Sequence, residues 1–198
     1  HRGQDALRAQ VQEEGLTGDP VDRLEAATVD DWLAGLGLEP VERDERDGIT
    51  SWDLRLDGQR RADIRLTIIL DPTSMLLLWV HFAPPLNDSF RVSYRQFLRW
   101  NDELPFVKFA LSADDRPVLT SELPVEGLDL DGLGIAVGRL LAVCDLTLER
   151  SVVWLYPGRK TPPPMGRPSR QAALFERYAD ELAELTGSEL DTETAELA

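Results

Sequence analysis

The sequence predicts an α+β fold in which a twisted antiparallel β-sheet is backed by helices. Two observations carry this prediction: apolar and polar residues alternate from residue 51 onward, and stretches with helical periodicity lie before, between and after the alternating runs. The predicted order is one helix, three strands, one helix, two strands and one helix, with a further helix appended at the C-terminal side. About five strands are therefore expected.

The N-terminal part is acidic and weakly patterned. Residues 1–27 show a faint helical pattern, which predicts a short or mobile helix. The first well-defined helix is predicted from Val29 to Leu36, with Thr28 and Asp31 as a capping box. The acidic stretch from Glu42 to Gly48 has no apolar period, so we expect a loop there.

Three antiparallel strands are predicted next. Ser51 to Asp57 and residues 64–70 alternate with period two, and Asp57-Gly58 between them is a strong hairpin signal. Met75 to Phe82 is apolar on both phases apart from His81, which predicts a strand covered on both faces. The protein's own helices can cover one face, and a partner subunit is an economical cover for the other.

The second half of the domain combines helical and strand signals. The predicted elements are a helix from Val92 to Leu104, strands from Phe106 to Ser112 and from Pro117 to Leu123, and a helix from about Asp131 to Leu148 that ends at Tyr156 at the latest. Asn101 is expected to bond backbone groups where its helix stops. Cys144 falls on the apolar stripe and is predicted to be buried rather than nucleophilic. Asp129 is interpreted as a helix start rather than as part of a calcium loop.

The predicted α+β domain spans residues 28–156, and two segments follow it. Residues 157–168 are rich in proline and are predicted to form a linker. The chain's one basic strip lies in this linker and just after it, and consists of Arg159, Lys160, Arg167 and Arg170. Residues 169–198 contain an amphipathic helix from Ser169 to about Leu185, with Leu174, Tyr178, Leu182 and Leu185 on one face, and an acidic tail. The helix is expected to dock on its own domain, on a dimer mate or on another protein.

Charge is distributed unevenly along the 198 residues. The net charge is −15, but residues 49–170 are balanced, and the excess lies in residues 1–48 and 171–198. An acidic protein of this kind is not expected to bind a nucleic-acid backbone directly. No apolar run is long enough for a membrane span, no signal peptide is recognised, and the single cysteine fits a cytoplasmic setting.

Known catalytic arrangements are not supported by the residue inventory. A nucleophilic site needs a histidine, and only His81 lies away from the terminus. A zinc site needs three or four cysteine or histidine ligands, which the chain cannot supply without heavy use of carboxylates. We therefore expect a non-enzymatic protein without a cofactor or metal.

A resemblance to a known family adds to this interpretation. Residues 100–145 contain Asn101 followed by Leu104-Pro105, then Lys108-Phe109-Ala110-Leu111, an acidic turn, Glu122-Leu123-Pro124 and a helix. This order resembles the core of the YbjN-domain family, although Asp114-Asp115-Arg116 stands where Asp-Gly is commoner. The resemblance implies a fold similar to type III secretion chaperones, frequent dimers and the binding of partner proteins.

Two functional hypotheses follow. The first is a homodimeric protein-binding module, chaperone-like or an adaptor in a bacterial stress response. The second is an accessory factor in DNA repair or nucleic-acid metabolism that binds a partner such as a single-strand-binding protein, with the basic strip contributing. The residues predicted to form the interaction or dimer surface are Trp79, His81, Phe90, Tyr94, Phe97, Trp100, Asn101, Phe106 and Lys108.

Overall fold

The computed structural model describes residues 23–83, 91–147, 150–151 and 165–187. In chain order, the helices are α1 (Ala26–Gly35), α2 (Arg91–Glu103), α3 (Leu130–Leu146), α4 (Ala172–Arg177) and α5 (Ala179–Gly187), and the strands are β1 (Pro40–Arg46), β2 (Ile49–Leu56), β3 (Ile64–Asp71), β4 (Met75–His81), β5 (Lys108–Leu111) and β6 (Pro117–Pro124). The α+β prediction is confirmed.

The sheet has six strands in the order β1-β2-β3-β4-β6-β5, and every neighbouring pair is antiparallel. The expected loop from Glu42 to Gly48 was wrong, because Pro40–Arg46 is an edge strand and every one of its side chains is exposed. A strand that buries neither face has no apolar period to reveal it.

A tight hairpin turn is formed by an Asp-Gly pair in the segment that was expected to be a loop. Asp47 and Gly48 form the two-residue turn between β1 and β2, with φ of 54° and 80°, which is the positive-φ geometry of a type I′ turn. Asp57 and Gly58 instead begin the loop of residues 57–63 between β2 and β3. The predicted hairpin of these two strands is confirmed, since β2 and β3 pair antiparallel, but a seven-residue loop rather than a tight turn joins them.

One core joins the helices to one face of the sheet, which we call the inner face. Leu54, Leu66, Leu78 and Leu119 of the strands share this core with buried residues of all five helices. α3 carries most of the helical contribution, and Asp129 caps it by accepting a hydrogen bond from the Gly132 amide at 2.8 Å, as predicted. The capping box was wrong, because α1 begins at Ala26 and no side chain caps it.

The C-terminal segment packs against α3 of the same chain. The predicted single helix is divided into α4 and α5 at Tyr178, and Leu174, Tyr178, Leu182 and Leu185 are all buried. Gly134 and Gly138 provide the space: a Cβ atom at these positions would come within 2.4 Å of Tyr178 and 3.0 Å of Leu182. The amphipathic face is thus covered in cis.

Candidate functional site

The outer face of the sheet, opposite the helices, is the broadest candidate for contact with another molecule. In its centre, Ile69 pairs with Leu77, and Trp79 pairs with Thr67 and Thr120. All five side chains are half-buried. The prediction that β4 is covered on both faces therefore applies in full only to its inner side, where Leu76, Leu78 and Val80 are buried.

Charged side chains occupy one end of this face. Arg55 pairs with Arg65 across β2 and β3, and Asp53 accepts a 2.5 Å hydrogen bond from the Thr67 hydroxyl. His81 is exposed at the end of β4, with its ring centroid 6.4 Å from that of Trp79. The outer face therefore changes from apolar at its centre to mainly basic at this end.

Two hollows meet at Arg65 and His81. The first has a volume of about 310 Å³ and is lined by Val41, Glu42, Asp53, Leu54, Arg55, Arg65, Leu66, Thr67 and His81. The second, which we call the arginine hollow, has a volume of about 510 Å³ and is lined by Arg61, Arg65, His81, Phe82, Ala83, Asp114 and Arg116. Because it is lined by three arginines and one aspartate, the arginine hollow is locally positive in a protein with a net charge of −15.

The three arginines of this hollow differ in the ion pairs and hydrogen bonds that they make with the rest of the protein. Arg116 is paired with Asp114 at 2.6 Å, and hydrogen bonds from the Ser112 hydroxyl and from Arg116 hold the pKa of Asp114 below its usual value. The Arg61 guanidinium donates to the Phe82 carbonyl at 3.0 Å and lies 5.5 Å from the centre of the Phe82 ring. Arg65 has no ion pair within the described ranges and presents its charge to solvent. The hollow can therefore attract carboxylates or other anions.

A second polar cluster surrounds Asp57, whose side chain is fully buried. Arg170 donates from Nε and Nη2 to the two carboxylate oxygens, both at 2.9 Å, and Arg167 donates from Nη1 at 2.5 Å. The amides of Arg170 and Asp63 also donate to it, each at 3.1 Å. The hydrogen bonds from Arg170, followed by those from Arg167, hold the pKa of Asp57 well below its ordinary value. Gln171 completes the cluster by accepting from the Asp57 amide at 2.5 Å.

The neighbouring Asp145 fixes the same loop from the α3 side. Its carboxylate accepts from the backbone amides of Gln59, Arg60 and Arg61 at 2.5, 3.1 and 2.8 Å. Burial raises the pKa of Asp145, and the three amide hydrogen bonds act against that shift. A Cβ atom on Gly58 would lie 2.5 Å from the Asp145 carboxylate, so the loop needs glycine here for lack of space. This cluster joins the loop, α3 and the C-terminal segment.

The sequence interpretation missed both buried aspartates. Asp57 was expected in a turn between two strands, and Asp145 lies near the end of a predicted helix. The sequence does contain an indication that Asp145 is buried, because it lies four residues after Leu141 on the apolar stripe of α3. Nothing comparable marks Asp57, since its arginine partners lie more than 100 residues away in the sequence.

The predicted interaction residues do not form one surface. Trp79 and His81 lie on the outer face, but Phe97 and Trp100 are 5% and 0% exposed in an aromatic cluster with Phe82 and Phe109. Trp100 is not available as a surface contact in this structure, because α2 turns it towards Phe109 on the inner face of β5.

Other predicted residues lie at the β5 edge. Asn101 donates to the Phe109 carbonyl at 3.0 Å and accepts from its amide at 2.6 Å, so the expected backbone bonding is made to β5. Lys108 donates to the Asn101 carbonyl, and Tyr94 is half-buried. Phe106 is 67% exposed, with the Arg139 guanidinium 4.3 Å from its ring centre.

Part of the predicted set lies elsewhere or outside the described residues. Phe90, Arg159 and Lys160 are outside them. Arg167 and Arg170, the remaining members of the basic strip, bind buried Asp57, although nearly half of each side chain is exposed. These two arginines have a structural partner in the protein itself.

The described residues contain no group of three or more histidine, cysteine, aspartate or glutamate side chains that could hold a metal ion. Cys144 is fully buried, and burial raises the pKa of its thiol to about 12, so the thiolate is scarce at neutral pH. No helix in the described part of the chain is long and apolar enough to cross a membrane.

Comparisons with known proteins add a family and one solved structure. The YbjN family, described as "Putative bacterial sensory transduction regulator", matches residues 25–150. The chain is also similar to the Yersinia pestis type III secretion chaperone SycH, solved in complex with a stable fragment of YscM2. The two are 18% identical, the alignment covers 61% of this chain and 96% of that one, and the TM-score is 0.45. Comparison with curated proteins gives no significant match.

Proposed function

Because this chain belongs to the YbjN family, we propose that it is a non-enzymatic adaptor that binds a partner protein through the outer face of its sheet. The family match covers residues 25–150, which include all six strands. The observation that carries the proposal is the outer face itself, where half-buried Ile69, Leu77 and Trp79 lie beside a basic end. A face of this kind suits a protein segment with apolar residues and flanking carboxylates.

The charge of the face favours this partner over a nucleic acid. Glu42, Asp53 and Asp114 lie among the arginines, so the surface is mixed rather than uniformly basic. Two members of the basic strip are occupied by Asp57, which removes the main support for the accessory role in DNA repair or nucleic-acid metabolism. That role, through a partner such as a single-strand-binding protein, is the less supported alternative.

The proposed adaptor acts as a homodimer through the β5 edge. The opposite edge, β1, is protected by charged side chains, which discourage strand pairing. β5 is short, its sequence is largely apolar, and Leu111, Leu98 and Phe106 beside it are 47%, 69% and 67% exposed. A second copy pairing there would extend the sheet and cover these side chains, with the same patch used by both subunits.

The family description supports a regulatory role, to which we add a proposed setting. We propose that this regulator acts by binding and works in a bacterial stress response in the cytoplasm, where its single cysteine would stay reduced.

Partner binding can be tested with a library of displayed 15-residue peptides selected on the full chain. We expect enrichment of peptides that combine apolar residues with aspartate or glutamate. The enriched peptides should bind a Leu77→Ser/Trp79→Ala double variant at least about tenfold more weakly, a loss of about 1.4 kcal/mol. They should bind the control Arg95→Gln, which changes an exposed residue of α2, unchanged. Equal binding to all three proteins would refute the outer face as the site.

The dimer is tested separately by light scattering at micromolar concentration. We expect the mass of two chains for the wild type and of one chain for Leu98→Glu/Leu111→Glu, whose charges would oppose each other across a symmetric edge. A wild type that is monomeric under these conditions would refute the dimer and leave the outer-face proposal standing.

A further inference from the structure

The geometry points to an intramolecular ligand for the arginine hollow: we propose that residues 188–198 of this chain dock there through their carboxylates. The segment contains Glu189, Asp191, Glu193 and Glu196 and no basic residue. It follows directly on α5, and the hollow is lined by three arginines and only one aspartate. The charges of the two parts are therefore complementary.

The direction of α5 brings the acidic segment to the correct end of the molecule. Gly134 of α3 contacts Tyr178, and Gly138 contacts Leu182, so α5 runs parallel to α3. At 1.5 Å per residue, the end of α5 at Gly187 lies about 7.5 Å beyond Leu182, level with the last turn of α3. Acidic residues 188–198 therefore begin near the C-terminal end of α3.

The arginine hollow lies at this same end. Asp145, in the last turn of α3, accepts a hydrogen bond from the Arg61 amide at 2.8 Å, and the side chain of Arg61 lines the hollow. Eleven extended residues span at most about 36–40 Å, several times the width of a helix. The segment can therefore pass around the end of the sheet and reach Arg65.

The hollow has free capacity for such a ligand. Arg65 makes no ion pair within the described ranges, and Arg116 meets only Asp114, which leaves part of its guanidinium for a second carboxylate. Because the segment is covalently attached, its effective concentration at the hollow is in the millimolar range, so individually weak ion pairs suffice.

This contact needs no partner protein, but it uses the basic end of the outer face that the proposed adaptor function offers to a partner's carboxylates, so the segment and a partner would compete there. Absence of peptide binding even to a variant whose four acids in residues 188–198 are neutralised would refute only the adaptor proposal. Peptide binding without docking would refute only the contact proposed here.

Paramagnetic relaxation in the full chain tests the contact. A nitroxide on Ala198→Cys reports proximity, and buried Cys144 will stay unlabelled because its thiol is inaccessible. We expect broadening of the amide signals of Arg65, His81 and residues 112–116. Most of that broadening should be lost in the variant Glu189→Gln/Asp191→Asn/Glu193→Gln/Glu196→Gln, and at 1 M salt, where the Debye length falls to about 3 Å.

The hollow is tested from its own side with Arg65→Gln/Arg116→Gln, which should lose the same broadening. Arg95→Gln removes an exposed arginine on α2 and should retain it. Broadening that survives neutralisation of the four acids would overturn the proposal. So would broadening seen only when labelled chains are mixed with isotopically labelled chains that carry no nitroxide, because the segment would then bind a second copy.

Discussion

Replacement of Arg170 by glutamine tests how much the ion pairs around Asp57 stabilise the protein. The substitution removes the two 2.9 Å hydrogen bonds that Arg170 donates to a carboxylate with no solvent exposure. Breaking a buried ion pair from one side costs about 3–5 kcal/mol. Arg167 and two backbone amides remain as donors, and the Arg170 side chain is 43% exposed, so solvent screening reduces the cost. We expect a loss of about 2 kcal/mol in the free energy of unfolding.

Urea denaturation followed by tryptophan fluorescence measures this loss. With a urea dependence of about 2 kcal/mol per molar, the midpoint should fall by about 1 M. The double variant Asp57→Asn/Arg170→Gln should lose less free energy of unfolding than the sum of the losses in the two single variants. In the double variant neither partner is left charged without the other. Arg177→Gln is the matched control: it removes an arginine of the same segment whose partner, Asp131, is exposed, and it should leave the midpoint nearly unchanged. A midpoint for Arg170→Gln within error of the control would refute the reasoning.

Three further predictions concern the core, acid stability and the thiol. Leu182→Ala should lower the free energy of unfolding by about 2–5 kcal/mol in the same urea assay, because Leu182 is 1% exposed against Gly138, whereas Val41→Ala at a 67% exposed position should have almost no effect. Because the folded pKa of Asp57 lies below its ordinary value, the stabilisation is complete above about pH 4 and is lost as the pH falls towards the folded pKa. Melting temperatures between pH 2 and 6 should therefore fall more steeply with acid for the wild type than for Asp57→Asn, and parallel curves would contradict the assignment. Cys144 should not react with a thiol reagent at neutral pH in the folded protein and should react fully in denaturing urea; rapid reaction of the native protein would show that the thiol is not buried.

Elements with one buried face were predictable from local pattern. The alternation in β2 and β3 and the stripe of α3 reflect which side chains leave water, and the structure buries those same side chains. β1 escaped prediction because it buries no side chain and is held mainly by backbone pairing with β2, and backbone hydrogen bonds leave no mark on side-chain polarity.

The sequence predicts the type of tight turn correctly, but it does not show which Asp-Gly pair forms the turn. The sequence contains Asp-Gly at 47–48 and at 57–58, and both pairs fit a tight hairpin. Only Asp47-Gly48 forms one, since Asp57 is drawn into the interior by arginines from the C-terminal segment. Because these arginines lie more than 100 residues from Asp57 in the sequence, no local sequence pattern reveals their effect.

The amino-acid sequence alone was enough for the α+β class, the resemblance to the YbjN family, the buried state of Cys144 and the uneven distribution of charge, because each depends on residues close together in the chain. Tertiary structure alone decided that the C-terminal helices cover α3 in cis, that Asp57 is buried between Arg167 and Arg170, and that Arg61, Arg65 and Arg116 meet in one hollow. These features join residues that are distant in sequence. The free energy of burying a charge depends on which groups surround it in space, and sequence periodicity carries no information about those neighbours.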